Sequence, residues 1–291
     1  SETNLSVEKN KLESTVRAAY LELWFVKNKA NLIANLEKEY ENFALIAEKK
    51  YALGETNLIE KIAAEGKKEG VRLLKSNVEL DIKSVTKQLQ SLMNSDASFE
   101  ISNKNLEKIP FEATVEDNSD NPMLLSLQNE IAVKEREHKL ENAKFLPDLS
   151  AGYFNQQIEG VKNFSGFEVG IKIPLFFRAQ QGKSQAAKKD AEIATLNYQQ
   201  SKLDLNALLK TKLNEYEKQK AALAYYVSTG ILLADKLFSS AIKAYKEGEI
   251  GYVEYIALME QSVEIRSSYL NALNLHNQTV NEINYLTGKY N

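Results

Sequence analysis

Two blocks of the sequence, 194 positions apart, place the same residue types at the same spacing. Acidic groups gathered at one place favour cations, whereas a glutamate at a helix start is commonly a solvated charge that the helix dipole stabilises. The tyrosines can serve as packing residues or take part in such a site. The matched residues are Tyr51, Gly54, Glu55 and Glu60 in the first block and Tyr245, Gly248, Glu249 and Glu254 in the second.

The repeat continues beyond these residues. A repeat of this length indicates one architectural unit that is used twice, and it favours a common role for both blocks. Its further members are Ile62, Ala63 and Arg72, matched by Ile256, Ala257 and Arg266.

The other candidates for chemistry are few. His138 and His276, the only histidines, are predicted to be surface or packing residues on separate helices. Cysteine is absent and there are three methionines, so nothing resembles a soft-metal site. No phosphate-binding glycine loop, metalloprotease pair or nucleophile elbow is found. We therefore predict no catalytic residue, no metal, no cofactor and no enzymatic activity.

Composition excludes further classes. The net charge of −3 gives no basic footprint for nucleic acid. With 43% hydrophobic residues the chain is not disordered by composition. No uninterrupted apolar run reaches the about 18 residues of a membrane-spanning helix, so we predict none. Contact with a membrane would then have to be made by strands.

Proline placement predicts a mainly helical fold. Residues 1–109 and 175–291 contain no proline and are rich in good helix formers. In the first stretch the apolar or small residues follow three- and four-residue spacing with a single stammer, which is typical of a coiled coil. A second stripe of smaller residues would let helices approach closely. The first stripe comprises Ala19, Leu23, Val26, Ala30, Ile33, Leu36, Tyr40, Phe43 and Ala47, and the second Ala187, Ala191, Ala194, Tyr198, Ser201, Leu205 and Leu208.

The predicted fold is mainly α. A long antiparallel coiled-coil helical hairpin occurs twice, and one β-hairpin is inserted between the two copies. Glycine can adopt the positive φ of a helix C-terminus, which places the bends near 54 and 248. The predicted segments are a first helical hairpin over 1–94, an irregular crossing segment over 95–120, a helix over 121–146, a membrane β-hairpin over 147–177 and a second helical hairpin over 178–291.

The β segment alternates with period two. One face is fully apolar, whereas the intervening residues are small, charged or turn-forming, as a lipid-facing barrel strand requires. We predict strands on either side of a turn at 160–166, the first over 149–158. The alternative is an amphipathic hairpin that packs on helices in a soluble protein. The predicted lipid-facing residues are Phe167, Val169, Ile171, Ile173 and Leu175.

These features together resemble a known family. The sequence Leu-Pro-Asp-Leu at 146–149, the sequence Val-Gly-Ile-Lys-Ile-Pro-Leu-Phe at 169–176 and the Ala- and Gln-rich helix that follows are similar to TolC-like outer membrane efflux proteins. The Asn-Pro pair at 121–122 and the Tyr-x-x-Gly-acidic bend of each half are similar too. The resemblance covers essentially the whole chain.

The resemblance implies a homotrimer with a helical α-barrel in the periplasm and a β-barrel in the outer membrane of a Gram-negative bacterium. It implies a passive efflux conduit whose partners are outer membrane lipid, a periplasmic adaptor and an inner-membrane pump, with the resistance-nodulation-division type as a candidate. The adaptor would dock at the bends, where the glutamates would form a charged ring. The sequence of the first bend, Tyr-x-x-Gly-Glu at 51–55, is most similar to the cation-efflux branch of the family.

The sequence also departs from this pattern. The first strand hairpin expected before residue 1 is missing and no signal peptide opens the chain, so we interpret it as a fragment. Ile250 occupies a position that is basic in some members, so the salt bridge used there for closure is not implied. The alternative function is a soluble coiled-coil scaffold or adaptor that binds partner helices.

Overall fold

The elements follow the proline pattern closely. The computed structural model describes residues 2–99, 101, 105–111, 118, 120–158, 160–173 and 177–290. A single π-helical turn at Tyr226–Gly230 joins the helix that ends at Tyr225 to the helix that begins at Ile231. The elements are α1 (Glu2–Ala52), α2 (Leu58–Leu92), α3 (Pro122–Ala143), β1 (Asp148–Ile158), β2 (Val161–Lys172), α4 (Phe177–Tyr225), α5 (Ile231–Glu247) and α6 (Tyr252–Leu286).

The chain divides into two compact units. The first comprises residues 1–7 and 119–206, and contains α3, the two strands and the first part of α4. The second comprises residues 8–118 and 207–291, and contains most of α1 together with α2, α5 and α6. Both copies of the repeated block lie in the second unit.

Helices α1 and α2 form an antiparallel hairpin. Lys61 pairs with Glu48 at 3.5 Å and Lys75 pairs with Glu37 at 2.7 Å, so residue numbers rise on one helix as they fall on the other. The predicted coiled-coil stripe on α1 is confirmed, since its members are buried apart from the partly buried Ala30. The helical hairpin is therefore held by one continuous apolar seam.

The second stripe is correct except at its last residue. Ala194 and Leu205 are buried in α4, but Leu208 is exposed and Leu209 is buried instead. At 3.6 residues per turn, four-residue steps drift around the helix more slowly than three-residue steps. The seam takes a four-residue step after Leu205 where a three-residue step was predicted.

Helix α3 begins where the sequence predicts. Asn121 caps it by accepting a hydrogen bond from the backbone N–H of Met123 at 2.9 Å, and Pro122 occupies the first turn. The helix ends at Ala143, earlier than the predicted 146, because the amides of Phe145 and Leu146 turn back to carbonyls three residues earlier. The described residues of the preceding segment 95–120 form no helix or strand.

Strands β1 and β2 pair antiparallel, and the predicted turn at 160–166 is wrong. Ile158 pairs with Val161, so the strands already pair within the range where the turn was predicted. Gly160 has a φ of +87°, which suits a two-residue hairpin loop. Gly166 lies within the ladder opposite Phe154. Glycine marks a turn in one place and a strand position facing an aromatic ring in the other.

One face of the β-hairpin is apolar and exposed. Phe167 and Val169 are 85% and 80% exposed, and Ile171 and Ile173 are exposed as well. Tyr153 of β1 contacts Phe167 with ring centroids 5.3 Å apart. The fifth predicted lipid-facing residue, Leu175, lies outside the described residues.

By length and composition alone, one helical stretch of the described chain, Arg178–Glu247, could cross a membrane. The prediction of no such helix is wrong by this criterion. The sequence around the π-helical turn interleaves Ser228, Thr229 and Gly230 with apolar residues, so it is apolar on average without an unbroken apolar run. A single helix of this kind is a weak indication of a membrane span.

Candidate functional site at the two helical bends

The two bends have the same backbone conformation. Gly54 and Gly248 have φ values of +74° and +77°, which confirms the predicted left-handed glycines. After Gly54, the amide of Glu55 donates to the carbonyl of Lys50 at 2.8 Å, and the amide of Glu249 donates to Ala244 at the same distance. These six-residue closures satisfy carbonyls left open at a helix C-terminus. The repeated sequence thus specifies a repeated turn.

An ion pair further along each hairpin is repeated too. Arg72 lies 3.1 Å from Glu41, and Arg266 lies 2.8 Å from Asp235. Glu41 and Asp235 are themselves 194 positions apart, so both members of the pair obey the repeat. Exposed ion pairs add little stability, but this one shows that the two hairpins share one register.

The side chains at the bends differ between the copies. Asn57 caps α2 and accepts from the Glu60 amide at 2.9 Å. The Glu60 carboxylate then accepts from the hydroxyl of Thr56 at 2.5 Å and from the hydroxyl of Tyr245. Glu60 is 8% exposed and Tyr245 is 2% exposed. The first glutamate is therefore bonded to the second tyrosine across the two hairpins.

Aromatic rings enclose this hydrogen bond. Tyr245 stacks on Tyr255 with centroids 4.8 Å apart, and Phe43 contacts both rings. The Lys50 ammonium lies 4.4 Å from the Tyr245 ring centroid. Burial raises the pKa of the Tyr245 phenol well above its usual value, and the bond to Glu60 raises it further. Tyr245 therefore stays protonated and acts as the donor.

Neighbouring phenols respond to the same burial. Burial raises the pKa of Tyr40 to about 12, with the charge of Glu260 as a smaller cause. Burial also raises the pKa of Tyr255, and Glu39 adds to the effect. None of these phenols can act as a base near neutral pH, so the cluster is a packing and hydrogen-bonding element.

The reciprocal pair is open to solvent. Tyr51 is 40% exposed, and its ring is 5.4 Å from the Lys61 ammonium. Glu254 is exposed in the first turn of α6, whose N-cap is Gly251 without a side-chain cap. Within the described part of the chain, neither the Tyr51 hydroxyl nor the Glu254 carboxylate has a hydrogen-bond partner. The structure brings Glu60 and Tyr245 together and leaves the other predicted site residues at the surface: Tyr51, Gly54, Glu55, Gly248, Glu249 and Glu254.

Sequence reasoning missed several residues of this site. Phe43 and Tyr255 form the aromatic walls, and neither belongs to the matched set. Asn57 could have been found, because an Asn followed three residues later by a Glu at a helix start is a capping signal. Thr56 lies four residues before Glu60 in the same hairpin. The burial of Glu60 depends on the neighbouring hairpin and has no local signal.

The described residues offer no cluster of three or more His, Cys, Asp or Glu side chains that could hold a metal ion. Of the two histidines, His276 is fully buried in α6 and His138 is half-buried in α3. Nε2 of His276 donates to the carbonyl of Ile109 at 3.2 Å, so this histidine packs against the crossing segment.

Comparison with solved structures extends over the whole chain. The CmeC outer membrane channel of Campylobacter jejuni is 16% identical, with 99% of this chain and 64% of that chain covered, at a TM-score of 0.81. The outer-membrane channel OprN is 15% identical, with 99% of this chain and 68% of that chain covered, at a TM-score of 0.87. The outer membrane protein VceC of Vibrio cholerae is 16% identical, with 100% of this chain and 73% of that chain covered, at a TM-score of 0.85.

This chain spans 64% to 73% of the length of these three proteins. No protein-family model and no curated protein matches the sequence. At such low identity the likeness establishes the fold. The chain has the fold of TolC-like outer membrane channels, which confirms at the level of fold the resemblance read from the sequence.

Proposed function

We propose that this protein is the outer membrane channel of a tripartite efflux system and acts as a passive conduit, not as an enzyme. The observation that carries the proposal is the combination of a channel fold along the whole chain with a β-hairpin that exposes an unbroken apolar face.

The first part of the proposal is that the β-hairpin contacts lipid. Phe167 and Val169 project from the same face, where cross-strand neighbours Tyr153 and Ala151 lie opposite them. Burying such a face in lipid removes apolar area from water, which is favourable by about 25 cal/mol of free energy per Å². An exposed two-stranded hairpin is marginal in water. A lipid-facing role in a shared β-barrel accounts for both facts.

Charge placement on this face gives a matched test. Val169→Lys puts an ammonium on the apolar face, which costs about 2–4 kcal/mol at the centre of a bilayer. Glu168→Lys places the same group on the opposite face. We expect Val169→Lys to deplete the protein from the outer membrane fraction and Glu168→Lys to leave it there. A protein that stays in the soluble fraction in every case would favour the scaffold alternative.

The second part concerns partners. We propose a homotrimer that meets a periplasmic adaptor at its two bends, with an inner-membrane pump, of the resistance-nodulation-division type among the candidates, supplying energy. Both bends present a left-handed turn and exposed acidic groups, Glu55 and Glu249. At the first bend Leu53 and Ile59 are also exposed, which gives an adaptor helix an apolar contact.

Bulky substitutions at the bends test adaptor docking. Gly54→Trp and Gly248→Trp should abolish efflux while the protein level in the outer membrane is unchanged. Leu80→Trp, at an exposed position in the middle of α2, is the matched control and should leave efflux intact. Photocrosslinkers at 54 and 248 should capture the adaptor. Normal efflux with both tryptophans and no captured adaptor would contradict docking at the bends.

The third part of the proposal concerns which substrates the channel favours. We propose that the exposed carboxylates Glu55, Glu249 and Glu254 form negative charge at the mouth of the conduit, which favours cations. Glu60 does not contribute in the same way, since it is buried against Tyr245. The resemblance of the first bend to the cation-efflux branch points in the same direction.

A further inference from the structure

The two hairpins of the second unit touch through two different faces. The first hairpin uses Glu60, Phe43 and Lys67, and the second uses Tyr245, Tyr255 and Glu260. Because the hairpins are repeats of one another, each also carries the positions that correspond to the face that the other uses. The ion pair is not repeated there, since Lys67 and Glu260 correspond to Gln261 and Gly66. Among the described residues, these counterparts form no hydrogen bond, ion pair or ring contact with one another across the two hairpins.

The offset of 194 residues between the two copies identifies these counterparts. Glu60 corresponds to Glu254, and Tyr245 corresponds to Tyr51. Both are exposed, and within the described residues neither polar group is hydrogen-bonded. The Glu60 and Tyr245 pair is thus satisfied inside the chain, whereas Tyr51 and Glu254 are both presented to solvent.

We propose that a second copy of this chain covers these faces head to tail, with the Tyr51 hydroxyl of one copy donating to the Glu254 carboxylate of the next. An interface between two different faces of the same chain is heterologous, and it closes into a ring when the rotation allows. The inference rests on the proposed homotrimer and names the contact that would join its subunits.

Charge supports this pairing. Inside the chain, the Lys50 ammonium of the first hairpin lies 4.4 Å from the centroid of the Tyr245 ring. The Lys61 ammonium lies 5.4 Å from the centroid of the Tyr51 ring and 3.5 Å from Glu48. A carboxylate that approaches Tyr51 from a neighbouring copy would therefore meet a hydroxyl donor and an ammonium together, the combination that forms charge-assisted hydrogen bonds.

The contact between copies should be weaker than the contact within a chain. Phe43 and Tyr255, which wall the internal hydrogen bond, correspond to Leu237 and Lys61 in the repeat. The aromatic stacking is therefore absent, and the Tyr51 and Glu254 pair stays partly solvated. A hydrogen bond of this kind can open while the internal pair stays closed.

Cysteine crosslinking tests the proposal in a chain that has no cysteine of its own. Tyr51→Cys and Glu254→Cys are combined in one chain, produced in cells, and treated with a short bis-maleimide. We expect products of two and three joined copies. Each single variant alone should give none, and the two single variants produced together should give a joined pair. Lys67→Cys with Glu260→Cys is the matched control, since that ion pair lies within one chain, and its product should keep the mass of a single copy.

The outcomes separate this interface from the proposed function. If the control pair crosslinks and the 51 and 254 pair does not, while the protein resides in the outer membrane, the interface is wrong and the channel proposal stands. If either single variant crosslinks to itself, the faces meet symmetrically and the head-to-tail arrangement is wrong. If the 51 and 254 product forms but the protein is soluble, the interface stands and the channel proposal falls.

Discussion

The two helical bends share a backbone and differ in surroundings. Gly54 and Gly248 adopt the same left-handed conformation, yet Tyr51 is exposed where Tyr245 is buried, and Glu254 is exposed where Glu60 is buried. Local sequence therefore determines the turn, because a helix C-terminus is closed by residues within the turn itself. Whether the tyrosine and the glutamate are buried or exposed is determined by the residues that pack against them.

This difference has a functional meaning under the proposed function. A residue buried inside one chain stabilises the hairpin pair, whereas its exposed counterpart is free to contact a neighbouring copy or an adaptor. The duplication supplies both from a single block of sequence. Four predictions test how far the two copies differ.

The largest effect is expected at the aromatic wall. Phe43 is almost fully buried between Tyr245 and Tyr255, so Phe43→Ala should lower the free energy of unfolding by about 3–5 kcal/mol. Leu237, its repeat counterpart, is half-buried, and Leu237→Ala should cost about 1–2 kcal/mol. Denaturant unfolding followed by circular dichroism measures both. Equal losses would mean that the two hairpins are packed alike.

Removing one hydroxyl in each copy gives a smaller contrast. Tyr245→Phe deletes the donor to the Glu60 carboxylate and should cost about 1.5–3 kcal/mol. Tyr51→Phe removes a hydroxyl with no partner in the described chain and should change stability by less than about 0.5 kcal/mol. The same unfolding assay applies, on single copies in dilute solution. A Tyr51→Phe loss as large as that of Tyr245→Phe would contradict the assignment of environments.

The glycines are the point at which the copies should agree. A Cβ at Gly54 or Gly248 meets no atom within 4 Å, so the cost comes from the left-handed backbone alone. Gly54→Ala and Gly248→Ala should each cost about 1 kcal/mol. Thermal unfolding of the two variants should give matching shifts. Shifts that differ by more than the measurement error would show that the turns are strained differently.

The smallest expected effect concerns pH, at a position where the copies diverge in residue type. His276 corresponds to Ile82, and burial lowers its pKa in the folded chain below the ordinary value of 6.5. The unfolded chain therefore binds the proton first, and stability should fall as pH drops below about 6.5. Melting temperatures near neutral pH and about two units lower measure this.

Two glutamine variants isolate the source of the pH effect. His276→Gln should flatten the acid loss of stability, whereas His138→Gln, at the half-buried histidine of α3, should preserve it. An acid loss that is unchanged in His276→Gln would assign the effect to carboxylates.

Much of the fold follows from local pattern. The α1 stripe, the Asn121 cap and the left-handed glycines were all predictable, because seams, caps and turns are determined by residues a few positions apart. The β-hairpin was predictable as an element, but its turn was not, since a glycine in a ladder and a glycine in a loop look alike in sequence.

The site was predictable only in part. The repeat located both bends, yet it assigned Tyr51 and Tyr245 the same role. Their difference arises from Phe43 and Tyr255, which are distant in sequence and have no aromatic counterparts in the repeat. The burial of Leu209 instead of Leu208 was not predicted for a similar reason, because tertiary packing determines which of two neighbouring leucines is buried.

Ion conduction in a planar lipid bilayer tests the central claim most directly. The purified protein should produce discrete conducting steps that prefer cations over anions, and Glu249→Lys, at an exposed carboxylate of the second bend, should reduce that preference measured from the reversal potential. An inserted protein that produces no conducting steps, or whose preference is the same with Glu249→Lys, would contradict a conduit with exposed carboxylates at its mouth.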